Sequence, residues 1–130
     1  MIVRFFNVFG IDSGSGHFIR DILDKIEKGD YSLIGPKETR SFCRVEDAVD
    51  AVLNIYEKAN REVINIGSDQ EISVLEAATL LAKHKNKDIQ WIHESGLKGS
   101  TRRRVPCLKK LKQYYPAYNP KPFEDAIIDL

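Results

Sequence analysis

The residues in this sequence best suited to chemistry lie in Thr39-Arg40-Ser41-Phe42-Cys43-Arg44-Val45-Glu46-Asp47-Ala48, a short strand-like run that passes into an amphipathic pattern. An arginine fixed on a strand end beside the start of a helix is a good device for holding a phosphate, because its planar fork can bind two oxygens at once. Arg40 is that arginine. Its bland alternative is a surface charge or an ion pair with Glu46 or Asp47, worth only about 0–1 kcal/mol.

Other reactive side chains form no constellation. His17, His84 and His93 lack metal-ligand spacing, and His84 sits among lysines at a helix end, where a cation suits the helix dipole. Cys43 and Cys107 are far apart and outside any CxxC, which reads as two reduced thiols in a cytoplasmic protein. Gly14-Ser15-Gly16 lies between a strand and a helix, but Ile19 stands at the third glycine position. Three residues also separate Gly10 from the first glycine of the pair. A dinucleotide fingerprint needs a tight turn directly after the strand and close backbone approach at the third glycine, so that reading is rejected.

Bulk composition narrows the partners. The chain has 130 residues, with 20 Lys and Arg against 19 Asp and Glu, a net charge of +1. No global field draws it to nucleic acid or a membrane surface, so an anion site has to be local. The Arg102–Arg104 run has no interleaved aromatics and does not read as an RNA-binding segment. No apolar run approaches a membrane span, and no signal peptide is recognised. The length suits one compact domain, 1–130, and is short for a two-domain oxidoreductase.

The elements that must position Arg40 alternate between strand and helix. Ile2-Val3-Arg4-Phe5-Phe6-Asn7-Val8-Phe9 is apolar on nearly both faces, as expected of a strand buried in a parallel sheet. Phe18, Ile19, Ile22, Leu23 and Ile26 mark a helix that Gly29 ends. Tyr31–Ile34 reads as a short strand. A second helix over 46–59 is expected to turn Ala48, Val49, Val52 and Tyr56 inward. Val63–Gly67 reads as a buried strand, and Ser73-Val74-Leu75-Glu76 is a capping box opening a third helix. Asp88–His93 alternates as a strand, with Ile89 and Trp91 on one side. The stretch from Glu94 to Arg104 shows no pattern. Short helices follow at 108–114 and after Pro122, where Phe123, Ile127 and Leu130 share a face. Such alternation predicts an α/β fold with mostly parallel pairing.

Several blocks together resemble the extended short-chain dehydrogenase/reductase family, which contains the nucleotide-sugar epimerases, dehydratases and decarboxylases. Thr39–Ala48 matches its "TRSF-x-x-V-x-D-A" signature, and Arg4–Gly10 resembles its "R-F-F-N-V-Y-G-P" strand. Val63–Gly67 with Ile72–Glu76 resembles its "V-x-N-I-G … S-V-x-E" block. Arg103-Arg104-Val105-Pro106, followed by Lys109–Tyr115, is similar to its tail.

The resemblance implies the second half of that family's usual length. The expected fold is the end of a Rossmann-type parallel sheet plus the small substrate-binding α/β subdomain. It also implies that Arg40 and Arg104 grip the diphosphate of a nucleotide sugar, that Asn7 reaches the sugar-phosphate, and that His17 and Phe18 line the base. The family uses NAD(P), with a tyrosine activated by a lysine four residues on. None of the five tyrosines here has that lysine, and the glycine-rich cofactor turn is missing. The expectation is a substrate-binding portion with no catalytic residue and no cofactor bound by this chain alone. Its alternative is a non-catalytic assembly module. Either leaves the edge of the Met1–Gly10 strand open, so a homodimer or a separate cofactor-binding half is expected to cover it.

Overall fold

A computed structural model describes residues 1–130. Nine strands and five helices alternate as β1 (Ile2–Phe5), β2 (Val8–Phe9), α1 (Phe18–Lys28), β3 (Ser32–Ile34), β4 (Thr39–Arg40), β5 (Cys43–Arg44), α2 (Val45–Ile55), β6 (Val63–Ile66), β7 (Ile72–Ser73), α3 (Val74–His84), β8 (Ile92–Glu94), β9 (Arg103–Arg104), α4 (Lys109–Tyr114) and α5 (Phe123–Ala126). Strands β1 with β6, β2 with β5, β3 with β8 and β4 with β9 pair in parallel; only β4 with β7 is antiparallel. The expected α/β class with mostly parallel strands is what the chain adopts. No helix is long and apolar enough to cross a membrane.

Local sequence explains the helix ends. Gly29 adopts φ 71°, the left-handed conformation that closes α1, and neighbouring N–H groups bond back to Ile26 and Lys25 carbonyls. At α3 the Ser73 hydroxyl accepts from the Glu76 N–H while the Glu76 carboxylate accepts from the Ser73 N–H. That reciprocal box is worth about 1 kcal/mol.

Two apolar cores result. One joins α1, α3 and α5 around Phe9, Leu33, Phe42, Trp91 and Phe123. The other packs α2 and α4 on β6 around Ile55, Ile64, Ile66, Leu111 and Cys43.

Four expectations change. The first strand is not continuous: Asn7 takes φ 44°, breaking it into β1 and β2. Nor is β1 buried, because β6 is its single neighbour; Ile2 is 64% and Phe5 56% exposed. Its outer edge is open, as expected. In α2 the inward stripe is Ala48, Ala51 and Ile55, with Val52 half-buried, whereas Val45, Val49, Leu53 and Tyr56 face outward. Small alanines let the helix lie close on the sheet, so its larger apolar residues form a second, uncovered stripe. Finally, the Glu94–Arg104 stretch ends in a strand, β9, which adds to the edge of β4.

Candidate functional site

The site is built on the three-stranded β7-β4-β9 sheet. Arg40 in β4 and Arg104 in β9 are register partners in a parallel pair. Paired residues point to the same face and sit one strand spacing apart, about 4.8 Å. The Thr39 N–H donates to the Arg102 carbonyl at 2.7 Å and the Ser41 N–H to the Arg104 carbonyl at 3.3 Å, fixing that register. Asn7 joins the same knot. Its Nδ2 donates to the Ser41 carbonyl at 2.9 Å, and its own carbonyl accepts from the Cys43 N–H at 3.1 Å. Ser41 thus connects Asn7 at the end of β1 with both arginine strands.

The two arginines differ in state. The Arg40 guanidinium donates through Nη1 to the carbonyls of Thr39 (2.8 Å) and Thr101 (2.7 Å), and through Nη2 to the Glu38 carboxylate (3.0 Å). The side chains of this ion pair are only 13% and 17% exposed. The Arg104 side chain is exposed, and its guanidinium makes no hydrogen bond or ion pair with its own chain. Arg103, one residue before, is held by Glu71 at 2.5 Å. Glu46 and Asp47, the partners considered for Arg40, are instead taken by Arg44, each at 3.3 Å.

His17 and Phe18 are engaged by the fold. The His17 Nε2 is 2.8 Å from the Val8 carbonyl, so that nitrogen carries the proton and donates, clamping the start of α1 to β2. Its Nδ1 is buried without a partner. Phe18 stacks on Phe42, with ring centroids 5.1 Å apart and planes 22° apart, and packs against the first core. A base that used these rings would have to share them with the core.

Sequence reading missed a cleft of about 830 Å³ beside Arg40, lined by Gly35–Glu38, His93–Ser100 and Arg102. It opens beyond the carboxyl ends of the parallel strands β3 and β8, where open α/β sheets take their ligands. Its rim mixes Lys37, Lys98 and Arg102 with Glu38 and Glu94. The signal available was the Gly35-Pro36 turn after β3; the opposite wall has no sequence pattern.

Cys43 is fully buried 3.6 Å from the Tyr118 hydroxyl, which donates to the Gly67 carbonyl at 2.8 Å. Burial pushes its thiol from 9.0 up to about 11, so it is not a nucleophile at neutral pH. The histidines, cysteines and carboxylates form no cluster of three or more that could hold a metal ion.

Comparison with solved structures defines the class of fold. A UDP-glucose 4-epimerase from Thermotoga maritima, solved with UDP-glucose, superposes with a TM-score of 0.83 at 24% identity over 97% of this chain and 42% of that one. A UDP-glucuronic acid 4-epimerase from Bacillus cereus, in complex with UDP-glucuronic acid and NAD, gives 0.82 at 21% identity over 96% and 41%. The architecture is the Rossmann-like fold of these two enzymes, present in part.

The family model described as NAD dependent epimerase/dehydratase matches residues 1–67, and the chain belongs to that family. A UDP-N-acetyl-alpha-D-glucosaminuronate decarboxylase from Bacillus cytotoxicus is 32% identical, the match taking in 88% of this chain and 40% of the relative. UDP-glucuronic acid decarboxylase 3 of Arabidopsis thaliana is 27% identical over 86% of this chain and 34% of its own. The chain therefore spans about two fifths or less of the length of these curated relatives.

Proposed function

We propose that this chain is the nucleotide-sugar-binding portion of an NAD-dependent epimerase/dehydratase-type protein, working in the cytoplasm. The observation that carries this reading is the pairing of Arg40 with Arg104 on adjacent strands, tied through Ser41 to Asn7. Arg104 offers an open guanidinium to the diphosphate, and Arg40 stands beside it. Asn7 orders the strand end under both; the His17–Phe18 turn shapes the approach from α1. The nucleoside enters the cleft between the Gly35–Glu38 and His93–Ser100 walls. Relatives named for UDP-sugar substrates support this ligand class.

The family's NAD does not fit the residues of this chain. The one glycine-bearing passage from strand to helix, Gly14–Gly16 before α1, has its Gly16 N–H taken by the Asp21 carboxylate at 2.9 Å. Ile19, 1% exposed, fills the place a third glycine would keep open. A dinucleotide pyrophosphate would meet a carboxylate there.

The deciding test is titration with UDP-, GDP- and dTDP-sugars against NAD, followed by amide shifts. Binding of a nucleotide sugar without binding of NAD supports the reading. No response to any nucleotide sugar at millimolar concentration refutes it.

A second reading has its own observation. Parallel sheets are normally covered on both faces, yet β1 and β6 stand as an isolated parallel pair with Ile2, Phe5 and the α2 stripe exposed. On this reading a second copy of the chain pairs with the open edge of β1, since an open strand edge pairs readily with itself about a two-fold axis.

A further inference from the structure

We infer that Glu38 sets how much negative charge the site accepts, by holding on Arg40 the place that a phosphate oxygen would otherwise take; this rests on the nucleotide-sugar reading above. Arginine has five N–H donors. Three are in use on Arg40: two on the Thr39 and Thr101 carbonyls and one on Glu38. The Glu38 carboxylate also cancels the charge of Arg40 within a pair that is mostly shielded from water. Of two register partners, one is therefore masked and the other, Arg104, is open.

Glu38 is built into this position. The turn that carries it is closed by its N–H on the Gly35 carbonyl at 3.0 Å, and its own carbonyl accepts from the Val74 N–H at 2.8 Å. Its carboxylate lies between two glycines. A Cβ on Gly35 would come within 2.8 Å of the Glu38 carboxyl carbon, and a Cβ on Gly96 within 2.8 Å of Oε1. Any side chain at either position would press on the carboxylate. Oε2 faces Arg40, Oε1 has no hydrogen-bond partner in the chain, and Glu38 is part of the cleft lining. The carboxylate is thus placed where an incoming diphosphate competes with it for Arg40. A ligand with one strongly anionic phosphate can bind at Arg104 alone; taking the Nη2 hydrogen of Arg40 that Glu38 now holds, and the uncancelled charge with it, requires displacing Glu38.

Isothermal titration with UDP-glucose, inorganic pyrophosphate and uridine tests this on the wild-type chain and Glu38→Gln, which keeps the shape and one acceptor oxygen but removes the charge. The two phosphate ligands are expected to bind the variant about tenfold more tightly, the effect of removing one screened unit charge close to the ligand, while uridine is unchanged. Equal or weaker phosphate binding by a variant of unchanged melting temperature overturns the inference and leaves the nucleotide-sugar reading standing. No phosphate binding by either protein overturns both. A second measurement needs no variant: the Arg40 Nε–H resonance of the wild-type chain should shift when pyrophosphate is added. A resonance that stays fixed while pyrophosphate binds also overturns the inference.

Discussion

Arg40 and Arg104 are register partners across the β4–β9 ladder, yet only the Arg40 guanidinium is tied into its own chain. They should therefore respond differently to truncation. Arg104→Ala is expected to leave the melting temperature unchanged and to weaken nucleotide-sugar binding by about 1.5–3 kcal/mol, the usual loss for a hydrogen bond to a charged group. Arg40→Ala is expected to lower stability as well, because it leaves Glu38 without its partner and strips the Thr101 carbonyl of its donor. Calorimetry of ligand binding and thermal melts of both variants separate the two outcomes. A drop in melting temperature for Arg104→Ala would count against its being the open anion grip.

Asn7 gives a second contrast. Its φ of 44° is unfavourable for residues with a Cβ, least so for asparagine and not at all for glycine. Asn7→Ala loses the hydrogen bond to Ser41 and keeps the strained backbone, about 1 kcal/mol for the first and about 1–2 kcal/mol for the second. Asn7→Gly loses the hydrogen bond without that strain. Urea denaturation should therefore rank the alanine variant below the glycine variant. The reverse order would mean that the left-handed conformation is not what the asparagine is there for.

What the sequence reveals here depends on how local the cause is. The helices follow from apolar spacing and end signals, such as Gly29 and the Ser73–Glu76 box, and these are local properties. Arg40 stands out because a strand end and a helix start bracket it within ten residues. Its masking by Glu38 does not, since it depends on Gly96 and Thr101, some sixty residues away, closing over the same turn. The α2 stripe misleads for a related reason. Val49 and Tyr56 look like core residues, but the alanines decide which side approaches the sheet. Phe18 likewise turns to Phe42, a contact that periodicity cannot foresee.

The outward stripe of α2 and the open edge of β1 predict self-association. Leu53→Lys and Phe5→Lys replace side chains that are 63% and 56% exposed, so neither should disturb the core. Light scattering at high concentration should show an assembly for the wild-type chain and a monomer for the double variant, with similar melting temperatures. A monodisperse wild-type monomer at the highest concentration reached would refute the self-covering surface.

The buried Cys43–Tyr118 pair makes stability fall in alkali. Burial raises the thiol from 9.0 to about 11 in the folded chain, and burial together with the neighbouring Cys43 raises the Tyr118 phenol above its ordinary 10.0. Both groups hold their protons more tightly when folded. Above pH 9 the unfolded chain therefore binds fewer protons than the folded one, and unfolding becomes easier as pH rises. The Cys43 contribution is fully present below about pH 9 and is lost by about pH 11; the Tyr118 contribution begins to fall near pH 10 and continues beyond. Melting temperatures measured from pH 7 to pH 11 should be flat at first and then decline. Cys43→Ala, although less stable throughout because it opens a small cavity, should show a later and shallower decline. The exposed Cys107 supplies an internal control, since a thiol reagent should label it at once at neutral pH while Cys43 reacts only after unfolding. An alkaline decline as early and steep in Cys43→Ala as in the wild-type chain would place the cause elsewhere than in this thiol.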